Sequence, residues 1–134
     1  MRYLLDTNIC IYLIKKKPAS VLRKFETYEV GDIGVSAITV AELMVGAQKS
    51  QQPAQNQRAL EQFLIPLILA DFDYNAAVAY GHVRAALEAQ GTPIGPLDML
   101  IAAHAVSLEV TLVTNNTREF DRVPGLKVVN WVND

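Results

Sequence analysis

The sequence has few of the features that cross-link a small protein by disulfides, insert it in a membrane or direct its export. Its one cysteine, Cys10, lies in the apolar stretch 9–14, so no internal disulfide can form and we expect a buried thiol. The apolar N-terminal residues 1–14 are interrupted by Asp6 and Asn8, which a secretory leader or a membrane span would hardly tolerate. We therefore expect a cytoplasmic protein without an exported or membrane-spanning segment.

The sequence also lacks an excess of positive charge and a zinc-binding pattern. Its 12 Lys and Arg residues face 14 Asp and Glu residues, so the net charge of −2 gives no long-range attraction for a polyanion. His82 and His104 have no partner at zinc-binding spacing, and we expect both to be ordinary core or surface residues. Any binding of nucleic acid must therefore depend on local basic groups and on metal ions.

The 134 residues, of which 51% are hydrophobic, are predicted to form a single domain over residues 1–134. Short apolar segments predict strands at 2–5, 33–35, 111–114 and 127–130. Helical patterns cover 9–14, 19–28, 37–47, 58–67, 74–90 and 97–107, and the polar stretch 49–57 is typical of a loop. This alternation predicts an α/β fold of three layers, α/β/α, in which helices cover both faces of a central, mainly parallel sheet.

Three acidic residues are embedded in apolar sequence. Asp6 follows a strand, Glu42 interrupts an apolar helix, and Asp98 lies between Leu97 and Met99. Each has a structural interpretation, in which Asp6 holds a turn with Asn8, Glu42 pairs with a basic residue and Asp98 favours a helix start. Because buried carboxylates need partners, three of them together suggest a shared site at the carboxyl ends of the strands, where ligands bind in this class of fold.

Convergent acids would need a cation or a raised pKa. Two carboxylates about 4 Å apart repel each other by roughly 4 kcal/mol at an effective dielectric constant near 20. An all-oxygen ligand set favours Mg²⁺, or Mn²⁺, over zinc. Asn116 could complete the set through its carbonyl oxygen or a water, and Glu119 lies one helical turn beyond it.

Four segments of the chain resemble the PIN-domain nucleases and, within them, the VapC toxins of toxin–antitoxin pairs. They are LLDTNICIYLIKKKPASV, VSAITVAELMVGAQKS, GHVRAALEAQGTPIGPLDMLIAAHA and LVTNNTREFDRVPGL, which together extend to Leu126. The resemblance implies a PIN-like fold in which Asp6 and Asp98 are the principal metal ligands and Glu42 is the third acid. Asn116 stands where many PIN domains carry a fourth acid, so Glu119 or Asp121 is expected to supply the missing charge.

The same resemblance assigns roles to several polar residues. It implies that Thr7 and Thr114 place hydroxyls around the acidic centre and that Asn8 orients Asp6. The alternative is that these three residues only stabilise turns.

Among the basic residues, Arg84 and Arg118 are predicted to contact phosphate because they lie in the resembling segments. The basic run 15–17 is expected to be an ordinary solvated helix end. Tyr3 and Trp131 are expected to pack in the core rather than stack on bases.

The implied activity is hydrolysis of RNA phosphodiester bonds, with Asp6, Asp98 and Glu42 holding one or two Mg²⁺ ions that orient a water and lower its pKa. Within the VapC toxins, the resemblance implies that the substrate is the anticodon stem-loop of initiator tRNA. Two alternatives stay open. A haloacid-dehalogenase-type hydrolase needs a second Asp at the position that Asn8 occupies, and a catalytically inactive PIN module that only binds partners is favoured by Asn116.

The resemblance also implies partners. A small cognate antitoxin of the VapB type is expected to cover the acidic pocket and to grip the N-terminal helices, with Ile11, Ile14, Val21 and Leu22 as its contact surface. Operator DNA is expected to be reached only through that antitoxin. The high apolar fraction of so small a chain, together with the habit of the family, predicts a homodimer.

Overall fold

The computed structural model describes residues 1–132, and this part of the chain contains five strands and seven helices. In chain order they are β1 (Tyr3–Leu5), α1 (Thr7–Lys15), α2 (Ala19–Glu26), β2 (Ile33–Ser36), α3 (Ala37–Gln48), α4 (Pro53–Leu64), β3 (Ile68–Ala70), α5 (Tyr74–Ala89), α6 (Pro96–Leu108), β4 (Thr111–Val113), α7 (Thr117–Phe120) and β5 (Lys127–Val129). The alternation of strands and helices confirms the predicted α/β class.

The strands form one parallel sheet in the order β3-β2-β1-β4-β5. β1 lies at the centre, where Leu5 pairs with Val35 of β2 on one side and with Val113 of β4 on the other. All five strands run in the same direction. The residues that follow β1, β2 and β4 therefore emerge side by side at one edge of the sheet, as the prediction of a strand-end site requires.

Each face of the sheet is covered by its own hydrophobic core. Leu4 and Leu5 point to opposite faces because successive side chains of a strand alternate. Leu4 belongs to the core under α5 and α6, and Leu5 to the core under α1, α2, α3 and α4. Cys10 and Trp131 are buried in the second core, which confirms both expectations, and the partly buried Tyr3 packs there as well.

The sequence interpretation was wrong about the segment between residues 49 and 70. The expected loop 49–57 already contains the start of α4, because Pro53 occupies the first turn, where its missing N–H costs nothing. The helix ends at Leu64, shortly before Pro66, rather than at Leu67. The apolar residues after it form the edge strand β3, which was not predicted, and a short helix, α7, was likewise missed.

None of the helices of residues 1–132 combines the length and apolar character that crossing a membrane would require.

Candidate functional site

Asp6 lies at the centre of the strand-end cluster. It follows β1 directly and is the N-cap of α1, where its Oδ1 accepts a hydrogen bond of 2.9 Å from the Ile9 amide. The neighbouring strand β4 is followed by Thr114, whose side chain also bonds to Asp6. Only 5% of Asp6 is exposed. Burial raises its pKa from 3.8 to about 6, the bonds from Thr114 and Ile9 oppose this rise, and the charges of Asp98 and Glu42 add to it.

Glu42 reaches the same site from α3, the helix that begins after β2. Its Oε1 accepts a hydrogen bond of 2.7 Å from the Thr7 hydroxyl, so the first residue of α1 holds the third acid. The alternative in which Glu42 pairs with a Lys or Arg is not found among residues 1–132, where Thr7 is its hydrogen-bond partner.

Asp98 enters the site from the first turn of α6, two residues after Pro96. A carboxylate is favoured there because the helix N-terminus carries a partial positive charge. The pKa of Asp98 is nevertheless raised, chiefly by burial and further by the charges of Glu42 and Glu119. Asp98 therefore lies in the first turn of a helix, as the structural interpretation expected, and it is also close enough to Glu42 and Glu119 to be affected by their charges.

The turn after β4 supplies the remaining polar groups. Thr114 is fully buried and its Oγ1 accepts a bond of 2.9 Å from the Asn116 amide. The Asn116 side chain donates from Nδ2 to Glu119 Oε2 at 2.9 Å, across the single turn of α7. The structure thus brings Asn116 and Glu119 into contact with each other, and the charge of Glu119 helps to raise the pKa of Asp98.

Other residues that the sequence singled out lie further from this centre. Asn8 is exposed on α1, and the groups that hold Asp6 are the Ile9 amide and the Thr114 hydroxyl instead. Arg84 is exposed on α5, where it bonds to Tyr80 at 2.8 Å and to Glu88 at 3.2 Å.

Arg118 is exposed on α7, beside Glu119, at the rim of the site. Asp121 is the exposed C-cap of the same short helix, and it is not among the groups that shift the pKa of Asp6 or Asp98.

The arrangement suits a hard divalent cation more than any other group. Asp6, Glu42, Asp98 and Glu119 are linked by mutual repulsion, and their oxygens come with the hydroxyls of Thr7 and Thr114. In the part of the chain that the structure describes, no three His, Cys, Asp or Glu side chains are gathered closely enough to form a ready metal cluster. A cation bound between the acids would relieve the repulsion that raises the pKa values of Asp6 and Asp98.

An apolar groove of about 410 Å³ leads away from the acids between α1, α3 and α4. Thr7 and Glu42 line it together with apolar side chains that include Ile11, Ile14 and Leu60. Ile11 and Ile14 line this groove but are partly buried, and Leu22 is likewise partly buried against the same core. Val21 was wrongly assigned to the expected antitoxin contact surface, because its side chain is fully buried against the sheet.

The comparison with known proteins decides the family. A model of the PIN domain matches residues 3–126. The chain belongs to the PIN domain family. Membership excludes the haloacid-dehalogenase alternative, in agreement with Asn8 standing where that class needs a second Asp.

Individual relatives of this PIN-domain chain are similar over nearly their whole length. The "tRNA(fMet)-specific endonuclease VapC" of Shigella flexneri is 47% identical over 131 residues, which cover 98% of both chains. The "Ribonuclease VapC2" of Haemophilus influenzae is 46% identical over 132 residues, 98% of this chain and 99% of the relative. The solved structure of DNA-bound VapBC from Salmonella typhimurium superposes with a TM-score of 0.93 at 42% identity, covering 98% of both chains.

The resemblance pointed to Thr7 and Thr114 as hydroxyls around the acidic centre, but the sequence did not show which acid each of them bonds to. The bond between Thr7 and Glu42 joins residues 35 positions apart, and its only sequence signal was a hydroxyl next to Asp6. The Ile9 amide carries no signal in a side chain at all, although an Asp before an apolar helix is typical of an N-cap.

Proposed function

We propose that the protein is a divalent-metal-dependent endoribonuclease and the toxin of a toxin–antitoxin pair, with residues 1–134 acting as one PIN domain. The observation that carries this is the convergence of Asp6, Glu42 and Asp98 at one edge of the sheet, in a chain whose relatives bear the names of ribonucleases. Mg²⁺ is the metal that this oxygen-only set fits best, and Mn²⁺ could replace it.

In the proposed mechanism the acids hold the metal and the chain positions the other groups. Bound metal lowers the pKa of a water and neutralises charge on the phosphate. Asp6 and Asp98 would be the principal ligands, with Glu42 as the third acid. The Thr7 hydroxyl fixes the Glu42 carboxylate, and the Thr114 hydroxyl fixes Asp6, so both acids keep their orientation without a positive side chain in the site.

The turn after β4 has a supporting role in this mechanism. Asn116 holds Glu119 at 2.9 Å, so Glu119 supplies the negative charge that the amide of Asn116 lacks. We assign the predicted phosphate contact to Arg118, which is exposed and precedes Glu119 in α7, whereas Arg84 would first have to leave Glu88 and Tyr80.

The proposed substrate is initiator tRNA, cut in its anticodon stem-loop. The Shigella relative is named for tRNA(fMet) and is 47% identical over 98% of this chain. Unpaired loop bases can be splayed out and read, which a duplex does not permit. Since tRNA works in the cytoplasm, we also propose a cytoplasmic location.

The proposed partners are a VapB-type antitoxin and a second copy of the chain. The groove beside Glu42 offers apolar anchoring points next to acids, which suits an antitoxin segment carrying apolar side chains and a basic one. Operator DNA would be bound through the antitoxin, as the DNA-bound VapBC relatives suggest. Exposed apolar side chains on β3 and α5, Leu69, Tyr74 and Val78, favour the homodimer.

The proposal is tested with two variants that change the same residue type at the same kind of position. Asp6→Asn and Asp73→Asn both replace an N-cap Asp by Asn, which caps a helix about as well. We expect purified wild type and Asp73→Asn to cleave initiator tRNA in Mg²⁺ and to stop in EDTA.

Asp6→Asn should stay folded in that experiment and should lose cleavage by orders of magnitude, because it lacks the charge that the metal needs. An equal rate for Asp6→Asn and wild type would overturn the metal-centred mechanism. No cleavage by wild type of initiator tRNA or of other RNA, with the fold intact, would favour the catalytically inactive module.

A further inference from the structure

The basic residues of the chain are distributed unevenly. Residues 7–25 contain five of the 12 Lys and Arg residues and none of the 14 Asp and Glu residues. The remainder of the chain holds seven cations and all the acids, so its net charge is −7. A polyanion is therefore repelled by most of the molecule and attracted by one segment.

This segment presents its charges to solvent. Lys15 ends α1, Lys16 and Lys17 form the turn after it, and Arg23 follows on α2; all four side chains are exposed. None of these four forms an ion pair with a carboxylate of residues 1–132. Arg84 differs, because it is already bonded to Glu88 and Tyr80. We call Lys15, Lys16, Lys17 and Arg23 the basic surface.

The basic surface is continuous with the acidic centre. Lys15 lines the same groove as Thr7 and Glu42, at the other end of α1. A helix of nine residues is roughly 13 Å long. An RNA chain that leaves the acids along α1 therefore reaches Lys15 within a few nucleotides.

Beyond the turn, the path continues onto α2. A second hollow, of about 290 Å³, is lined by residues that lie on one face of α2: Ser20, Arg23, Lys24 and Thr27. Val21 and Phe25, on the other side of this helix, pack into the core. On this face of α2 the side chains of Arg23 and Thr27 are exposed, and the Ser20 hydroxyl bonds to the Val132 carbonyl.

The acids themselves cannot attract a phosphate chain. Bound metal neutralises the charge at the cleaved phosphate, and the flanking phosphates need cations of their own. We propose that Lys15, Lys16, Lys17 and Arg23 bind the RNA backbone that flanks the cleaved phosphate, holding the substrate along α1 and α2. This inference rests on the proposed function and gives a role in RNA binding to residues 15–17, which are the exposed helix end that the sequence predicted.

The test measures RNA binding apart from cleavage. Fluorescently labelled initiator tRNA is titrated with protein carrying Asp6→Asn, in Mg²⁺ and at several salt concentrations. Adding Lys15→Gln, Lys17→Gln and Arg23→Gln should raise the Kd at least about 30-fold at low salt. The slope of log K against log salt should become shallower by about 2, because each lost phosphate contact contributes roughly 0.7 to 0.9.

The matched control removes the same charge elsewhere. Lys49→Gln, Arg58→Gln and Lys127→Gln also change exposed residues and give the same net charge, so we expect less than a threefold change in Kd. Thermal melts check that both triple variants are folded. Equal losses of affinity in both would show a general charge effect and overturn the inference.

Two further outcomes separate the inference from its alternatives. Unchanged RNA binding by the variant with Lys15→Gln, Lys17→Gln and Arg23→Gln would overturn the inference. If that variant instead bound the antitoxin more weakly, the basic surface would be assigned to a protein partner. Failure of the proposed function is a different result, namely no tRNA cleavage by the chain with Asp6 intact, whatever the triple variant binds.

Discussion

Asp6 has two roles in the fold, and they make opposite electrostatic demands. As the N-cap of α1 it is favoured by the helix dipole, and as a member of the acidic centre it is repelled by Asp98 and Glu42. Thr114 moderates this conflict, because its hydroxyl stabilises the charged form of Asp6 while its Oγ1 accepts the Asn116 amide. One small side chain thus connects Asp6 to Asn116, which in turn bonds to Glu119.

The role of Thr114 leads to a prediction about a single hydroxyl. Thr114→Val keeps the shape but removes the bond to Asp6, so the pKa of Asp6 should rise above its value of about 6. Thr114→Ser should restore it. Carboxyl resonances followed by NMR through a pH titration without metal measure this directly. The same pKa in the Val and Ser variants would contradict the assigned bond.

The helices that carry Glu42 and Asp98 are joined beneath the site. His104 of α6 is buried, with Nδ1 2.8 Å from the Ser36 hydroxyl, and Ser36 is the N-cap of α3. The pKa of His104 is lowered, chiefly by burial, against the opposing effects of the Asp71 backbone and of the charges of Asp73 and Asp71. His104 is therefore a core histidine, as expected, and it also fixes α3 relative to α6.

We expect His104→Ala to destabilise the protein by about 2–4 kcal/mol, since it opens a cavity and leaves the buried Ser36 hydroxyl without its partner. It should also reduce tRNA cleavage at temperatures where the variant is still folded, because Glu42 and Asp98 lose their common support. His104→Asn, which can keep a polar atom near Nδ1, should recover part of both losses. Urea unfolding and cleavage rates test this, and a destabilised variant with full activity would refute the positioning role.

A second prediction at this scale concerns the edge of the sheet. Leu69 of β3 is 54% exposed and Tyr74 of α5 is 79% exposed, which suits contact with another copy of the chain. Tyr74→Glu should shift the dimer toward monomer in light scattering. Val30→Glu, at an 84% exposed apolar residue of the loop before β2, should leave the dimer intact. A monomeric wild type would contradict the dimer itself.

The differences between sequence and structure also belong to this scale. The run 63–70 is apolar almost throughout, so periodicity cannot separate the tail of α4 from the three-residue strand β3. Asp6, Glu42 and Asp98 were predictable because a carboxylate in apolar sequence needs a reason. The contacts between Thr7 and Glu42 and between His104 and Ser36 were not, since they depend on how helices far apart in sequence pack together.

For the whole molecule, the raised pKa of Asp6 makes stability depend on pH and metal. Its folded pKa of about 6 exceeds the ordinary 3.8, so the proton on Asp6 stabilises the folded state. This stabilisation is full below pH 3.8 and is lost as the pH rises through 6. Without metal, the stability advantage of Asp6→Asn over wild type should grow by about 2 kcal/mol between pH 4.5 and 7.5. Because His104 is present in both proteins, its titration cancels.

Urea unfolding at a series of pH values in EDTA measures this difference. Mg²⁺ at pH 7.5 should raise the melting temperature of wild type more than that of Asp6→Asn, because the variant lacks one of the charges whose repulsion a cation relieves. An advantage of Asp6→Asn that does not vary with pH would contradict the raised pKa.

The central position of β1 has a consequence for synthesis on the ribosome. β1 is made first, yet one of its two partner strands, β4, begins at Thr111, and Asp98 and Thr114 emerge equally late. Strand pairings over such long separations form late in folding. A nascent chain therefore has no assembled acidic centre until Asp98 and Thr114 have been translated, so the ribonuclease activity proposed above can begin only after α6 and β4 have been made.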